Sequence, residues 1–515
     1  MSKPAVAALA FVVAFLLCGL AAPTVAAASA EASACAPPSV TSSAQIGNAG
    51  QPNLNVFLPG SGTMNAIVLF ADFPDARAQG APDALYGLNQ FPDASQWFQQ
   101  TSQGRMNVQF NPVDSWIHLS QSSTSYQVSA GNMDYDHQRA LVTDALNASG
   151  VNLNGYQVAI VVTSVQSAVR NAEAFIAGSN PPISVGGASF RYGIDIGSSG
   201  FTTNLTARII EHELMHTLGP ADLGDPIGKQ WSVNYAGGFV GAESLTAWER
   251  LQVGWLGLDH VDCVTSSGST DVKLMPLEQS SGTRAIIVPV AGHYVVAENR
   301  ELSNEDTGIC RQGMLLTNVN PQVDNYPSTA IAGITDPREP VTSERCQFAW
   351  DMNGSKLYSD PSGQFKLQLL CHQTDLSYIV RVADGVPMSN AASPLCKGAP
   401  PGEQAVQGGN GDHAKFTAKL LSGRCSGSPK LQIKGSVTSA IPGHAYRLQE
   451  KLPGSSKWVT VNKGLGLTFT GGFQVTLVLP KVTCKTKSVE LRLISNGTPI
   501  SKTVTLRIAS RGQRR

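Results

Sequence analysis

A mixed α/β (α+β) domain followed by β-rich modules is the fold class this sequence predicts. Three observations predict it. Buried-type strand runs alternate with helix patterns in the first half, short period-two runs replace them after about residue 265, and 50 Gly and 30 Pro punctuate the chain with turns. At 515 residues the chain is too long for one core and points to about three domains.

In order along the chain, Lys3 precedes an apolar run over residues 5–20, followed by Pro23 and the small residues 25–30, which offer A-x-A-like cleavage sites. This predicts a secretory leader, and hence a secreted protein. The run is short for an uncleaved membrane anchor, and neither Cys18 nor Cys35 has the Leu three residues upstream that a lipidated cysteine would have. Residues 66–70 (AIVLF) and 158–162 (VAIVV) are uninterrupted apolar runs of the kind buried strands show. Between them, residues 93–100 and 134–147 each open on an Asp able to cap a helix, and Ala140, Leu141, Ala145 and Leu146 repeat at helical spacing. Residues 389–413, rich in Pro and Gly, predict a linker. Beyond it, Leu431/Ile433, Val489/Leu491/Leu493 and Val504/Leu506/Ile508 alternate with polar residues, which fits an immunoglobulin-like β-sandwich. The expected division is therefore leader 1–30, α/β domain 31–260, β-rich domain 261–388, linker 389–413 and β-sandwich 414–515.

Composition narrows function. The 37 Lys and Arg cancel the 37 Asp and Glu, and only 14% of residues are charged, so the whole-chain balance offers no basic field for nucleic acid or an anionic membrane. Eight of the nine cysteines follow the leader, an even number that in an exported chain reads as up to four disulfides of undetermined connectivity. No C-x-x-C knuckle supports a thiolate metal site instead. Cys425 and Cys484 can bridge each other within the last domain.

One segment carries chemistry. Residues 204–220 have a helix's grammar: Thr203 or Asn204 can cap the start, Gly219 suits the left-handed position after the end, and Pro220 stops it. Ile210, Leu214 and Leu218 share the core stripe, while His212 and His216 lie one turn apart on the other side. Two imidazoles at that spacing converge on one point and suit Zn²⁺, and Glu213 between them can act as general base toward a water that the metal acidifies. Gly219 lets the chain reverse, so Asp222 can return as a third ligand. Glu243 or Glu249 can serve instead if a later helix packs on the first, and Asp225 is a candidate calcium ligand or turn cap. His118 and His137 lack ligand spacing.

The full pattern, H-E-x-x-H-x-x-G-x-x-D over His212, Glu213, His216, Gly219 and Asp222, resembles the metzincin zinc peptidases, and more closely the secreted bacterial peptidases of the immune-inhibitor-A type. Over residues 60–258 the resemblance takes in the strand at 66–73, the phrase at 97–106 (WFQQTSQGRM), Trp116 to Leu119 with Tyr126 following, and the tryptophan-rich stretch at 245–256. It implies a metzincin-like domain and a zinc-dependent endopeptidase. The metzincins place a Met in a turn beneath the metal; here Asn234 stands in that phrase, and the neighbouring Tyr235 is a candidate for stabilising the oxyanion, or else a packed turn residue.

The expected partners are protein or peptide substrates, with no nucleic acid, no membrane after leader cleavage, and a monomeric chain. Residues 187–196, with Phe190, Tyr192, Ile194 and Ile196 alternating, can be an edge strand to which a peptide adds, or an ordinary internal strand. Cys35 can be a latency thiolate on the zinc or half of a structural disulfide. The alternative function is a secreted or surface-associated binding protein, an adhesin with an inactive peptidase core; the intact Glu213 argues against it.

Overall fold

The computed structural model describes residues 33–396 apart from short stretches, chiefly 40–47, 83–90, 127–134, 177–180, 198–205, 225–230, 236–243 and 337–347, and from 413 to 507 it describes strands alone. The expected leader, Cys310, Cys346, Cys425, Cys484, Asp225 and Glu243 lie outside the described residues. The fold is mixed α+β, mostly sheet with few helices, and divides into two compact units: residues 1–301 with 310–399, and residues 400–515 with 302–309.

The first unit is built on a five-stranded sheet in the order β2 (Met106–His118), β1 (Gly62–Asp72), β3 (Val158–Thr163), β7 (Tyr192–Ile196), β4 (Ala172–Ile176). All neighbours are parallel except β4, which runs antiparallel at the edge. Helices cover both faces, which is why β1 and β3 read as unbroken apolar runs. On one face Val68, Phe70, Ile160 and Ile194 pack against Phe98 of α1 (Phe91–Thr101) and against Ile210, Leu214 and Leu218 of α3 (Thr206–Leu218). On the other, Ile67, Leu69 and Val161 pack against Leu141, Val142 and Ala145 of α2 (Tyr135–Ser149). Trp97, Phe98 and Trp255 meet edge-to-face, with centroids 5.0–6.2 Å apart.

Of the two readings of residues 187–196, the internal strand holds for 192–196 and the edge reading is corrected there, while 188–190 belong to a separate two-stranded sheet. β7 is flanked by β3 and β4 and buried along its whole length, so it is internal. The edge belongs to β4, and no described strand pairs with its outer side. Between them, β5 (Ile183–Val185) and β6 (Ala188–Phe190) form a separate hairpin.

Past residue 260 a six-stranded sheet forms from β8 (Val261–Cys263), β10 (Ala285–Val290), β11 (His293–Arg300), β12 (Gly313–Val319), β13 (Ile331–Gly333) and β14 (Ala349–Trp350). A four-stranded sheet forms from β9 (Gly268–Leu274), β15 (Leu357–Ser359), β16 (Phe365–His372) and β17 (Tyr378–Asp384). The two share a core that includes Val272, Ile286, Val295, Leu316, Leu367 and Val380. The other face of the six-stranded sheet packs Ile287, Val296 and Val319 against Trp248 and Leu251 of α4 (Ala247–Gln252) and against Leu223. Residue 260 therefore marks a change of layer architecture within one compact unit. The expected linker starts pinned: Cys396 is bonded to Cys371, and Arg381 Nη1 donates to the carbonyls of Ser389 (2.8 Å) and Ala391 (2.7 Å).

Cys35 is fully buried in a disulfide to Cys263, which corrects the latency-thiolate alternative: its sulfur belongs to the structure and not to a metal. The bridge closes a separation of 228 residues. A closure of that span removes enough freedom from the unfolded chain that the Cys35→Ser/Cys263→Ser double variant is expected to lose about 2–5 kcal/mol of stability. Urea unfolding of the oxidised wild type beside the variant checks this, and coincident midpoints would show the bridge to be inert.

The second unit holds two antiparallel sheets. One is β18 (His413–Ser422), β19 (Lys430–Thr438) and β22 (Gly472–Val478); the other is β20 (Tyr446–Lys451), β21 (Val459–Thr460), β23 (Ser488–Ser495), β24 (Thr498–Pro499) and β25 (Val504–Arg507). Ile433, Leu491 and Leu493 are fully buried, as their alternation with polar residues predicts. The neutral whole-chain balance does not describe the last hundred residues. Residues 413–515 hold 18 Lys and Arg against 2 acidic residues, Glu450 and Glu490, a net charge of +16, and residues 1–412 carry the compensating −16.

Candidate metal centre

The helix α3 positions the motif as its grammar predicts. Ile210, Leu214 and Leu218 are buried in the core beneath the sheet, and Gly219 ends the helix at φ 113°. Glycine is required twice over there, because a Cβ would also lie 2.5 Å from Pro52 Cγ. The expected caps Thr203 and Asn204 lie outside the described residues.

His212 and His216 are both 7% exposed, with their Nε2 atoms 3.1 Å apart. Each Nδ1 faces a backbone carbonyl: Val233 O at 2.8 Å from His212 and Pro220 O at 3.0 Å from His216. A carbonyl only accepts, so each Nδ1 carries the ring proton and each Nε2 presents a lone pair in the neutral ring. The reversal after Gly219 brings back Asp222, whose Oδ1 stands 3.1 Å from His212 Nε2 and 3.5 Å from His216 Nε2. Three electron-pair donors thus face one another in a buried site, an arrangement that demands positive charge at its centre. Without a metal, the charge is a proton on an imidazole. Burial pulls the His216 pKa down, but Asp222 and Glu213 overcome it and raise the value to about 9. Burial pushes Asp222 up, and the two imidazoles outweigh it and hold the carboxyl well below its usual range. The donor set of two imidazole nitrogens and one carboxylate oxygen suits a zinc ion.

Glu213 brings its carboxylate within 4.8 Å of the histidine nitrogens. Burial raises its pKa, an effect offset in part by His212 and His216, and the N–H of Ala174 on β4 donates to it. Glu213 therefore reaches from the two histidines to β4, the edge among the described strands of that sheet. Of the carboxylates considered for a third position, Asp222 is the one that stands against both Nε2 atoms. Glu249 does not: it accepts from Ser232 Oγ (3.0 Å), Asn234 Nδ2 (2.7 Å), Thr246 N (2.8 Å) and Thr246 Oγ1 (2.8 Å), which fills its lone pairs and corrects that alternative. Asn234, in the phrase where a Met was expected, is fully buried and uses its side chain to tie the turn to α4. That turn carries the Val233 carbonyl under His212. Tyr235 is 7% exposed and pairs through its backbone with Leu223, beside Asp222. His118 lies elsewhere, its Nδ1 2.7 Å from Asp72 Oδ1.

Several contributors carry no sequence signature. Ser328, from the segment between β12 and β13, donates its N–H to Asp222 O (2.6 Å) and accepts from Gly224 N (2.9 Å), clamping the ligand loop on both sides. Tyr135 stands close enough to feel the site: burial first, then the charges of Glu173, Asp222 and Glu213, raise its phenol pKa. Gln138 donates to Asp195 Oδ1 (2.7 Å) and to Glu173 O (2.5 Å), fixing β4 from the opposite face of the sheet. The Ser328 clamp has a measurable consequence. Ser328→Pro, which removes the N–H, is expected to weaken zinc binding by about 10–100-fold, whereas Ser328→Ala retains it. Competition with a fluorescent zinc chelator reads this, and equal affinities would show that the clamp is not needed.

No family model matches this chain, and no curated protein matches it at a significant level.

Proposed function

We propose that this protein is an exported zinc-dependent endopeptidase with a metzincin-like catalytic domain, its C-terminal unit an immunoglobulin-like sandwich. The observation that carries the proposal is the convergence of His212 Nε2, His216 Nε2 and Asp222 Oδ1 within 3.1–3.5 Å, with both Nδ1 protons committed to carbonyls. His212, His216 and Asp222 would hold the metal. A zinc ion so held supplies Lewis-acid activation of water at neutral pH.

The chain's own residues do the rest. Glu213, buried and with its pKa raised by that burial, takes the proton of the attacking water and returns it to the leaving amine. The open side of β4 offers backbone donors and acceptors to an extended peptide, which adds as a further antiparallel strand and lies across Glu213, where Ala174 already touches the carboxylate. Tyr135, whose phenol feels the charges of Asp222 and Glu213, and Tyr235, which pairs through its backbone with Leu223, are the candidate donors to a developing oxyanion.

The test is equilibrium dialysis of the purified mature chain against zinc, beside casein hydrolysis with and without a chelator. One tightly held zinc per chain and chelator-sensitive hydrolysis are expected. A chain that holds no zinc overturns the proposal.

A further inference from the structure

The charge of the second unit is patterned as well as large. Along β19, Ile433 is fully buried and Lys434 is exposed, so Lys430, Gln432, Lys434, Ser436 and Thr438 occupy the outer register positions. On β18, Lys415, Thr417 and Lys419 pair with Ser436, Lys434 and Gln432 and share that face. On β22, Gln474 and Thr476 pair with Lys434 and Gln432 and complete it. The opposite face takes Phe416, Leu420, Leu431, Phe473, Val475 and Leu477. In this register Lys415, Lys434, Lys419 and Lys430 form a zigzag row along two adjacent strands. Consecutive positions stand roughly 8 Å apart, from a rise of ~3.3 Å per residue and a strand spacing of ~4.8 Å. That is about one Debye length at physiological salt, so neighbouring charges reinforce one another. No acidic residue falls on these three strands.

We propose that this sheet face binds an extended acidic polysaccharide. A row of cations at regular spacing, interleaved with Thr, Ser and Gln able to hydrogen-bond hydroxyls, is complementary to a linear polymer carrying one anion every residue or two. A single-stranded nucleic acid is disfavoured because the aromatic residues of these three strands, Phe416 and Phe473, fall at register positions of the other face, away from the row of lysines. A membrane surface is disfavoured because, apart from Leu421 in the bulge of β18, the paired positions of this face include a single large apolar residue, Val478, at one end. The −16 carried by residues 1–412 repels any polyanion, which leaves binding to residues 413–515. The site needs neither zinc nor Glu213.

The experiment uses the full mature chain on immobilised heparin, sulfate-bearing, and on polygalacturonate, carboxylate-bearing. Duplex DNA and vesicles containing phosphatidylglycerol serve as rival surfaces. Binding to at least one polysaccharide is expected, weakening by about tenfold or more from low to physiological salt. The Lys415→Gln/Lys419→Gln/Lys430→Gln/Lys434→Gln variant is expected to lose at least about tenfold more. The Lys457→Gln/Lys463→Gln/Lys485→Gln/Lys487→Gln variant, with the same change in charge off these strands, is expected to stay within about threefold of wild type. Thermal melts check that both variants fold. Equal losses in the two variants overturn the assigned face; tighter binding to DNA or vesicles, or no binding to any polyanion, overturns the polysaccharide. Zinc content and casein hydrolysis in the four-lysine variant remain at the wild-type level whether or not the peptidase proposal stands, so the two fail separately.

Discussion

Replacing Glu213 with alanine is expected to lower casein hydrolysis by about 10²–10⁴-fold while leaving zinc content at one per chain. The physical basis is the division of labour in the site. His212, His216 and Asp222 face one another across 3.1–3.5 Å, whereas the Glu213 carboxylate is held by the Ala174 N–H toward the sheet edge. Losing the base removes about 3–5 kcal/mol of transition-state stabilisation without emptying the ligand set. Glu213→Gln, which keeps the volume and can still receive the Ala174 N–H, separates proton transfer from packing and is expected to be as inactive as alanine. Zinc loss on either substitution would make Glu213 a ligand, and undiminished hydrolysis would place the chemistry elsewhere.

Arg300→Met is expected to cost about 3–5 kcal/mol of stability and to weaken zinc binding with it. Arg300 and Glu298 are both fully buried on β11, 2.9 Å apart. The guanidinium also donates to Trp231 O (2.9 Å) and lies 5.8 Å from the centre of the Trp231 ring, while Glu298 Oε2 accepts from Ala247 N (2.6 Å). Trp231 opens the turn that carries Val233 beneath His212, and Ala247 starts the helix whose Glu249 holds Asn234. Removing Arg300 takes away a guanidinium that stands 2.9 Å from a fully buried carboxylate, directly behind the floor of the site. The Arg300→Met/Glu298→Gln double variant keeps an acceptor for Ala247 and removes the buried negative charge along with the positive one, so it is expected to recover part of the loss. Urea midpoints read both effects, and a single variant as stable as wild type would show the pair to be dispensable.

Much of the site was legible in the sequence because its grammar is local. The i, i+4 spacing puts two imidazoles on one side of α3, Gly219 and Pro220 end the helix within one turn, and Asp222 follows closely enough that only a reversal is needed to return it. The strands at 66–70 and 158–162 were legible for a similar reason, since a run buried on both faces is apolar at every position. Strand order was not. Residues 172–176 and 192–196 are both short, and which of them forms the edge depends on pairing with β3, a contact made across the sheet. Asn234 could be placed in its phrase but not given a role, because its partner Glu249 lies on a helix fixed by Glu298 and Trp248.

By itself, then, the sequence determined the helix that carries His212 and His216, its stop, the nearness of Asp222 along the chain and the opposed charges of residues 1–412 and 413–515. All of these depend on spacing within a few residues or on counting. Only the tertiary structure decided that Cys35 is bonded to Cys263, that β4 is the open edge beside Glu213, that Glu249 supports the floor, and that Ser328 clamps the ligand loop from a segment more than 100 residues later. Backbone donors and acceptors are identical at nearly every residue, so their partners follow from how the chain packs and leave no mark in the sequence.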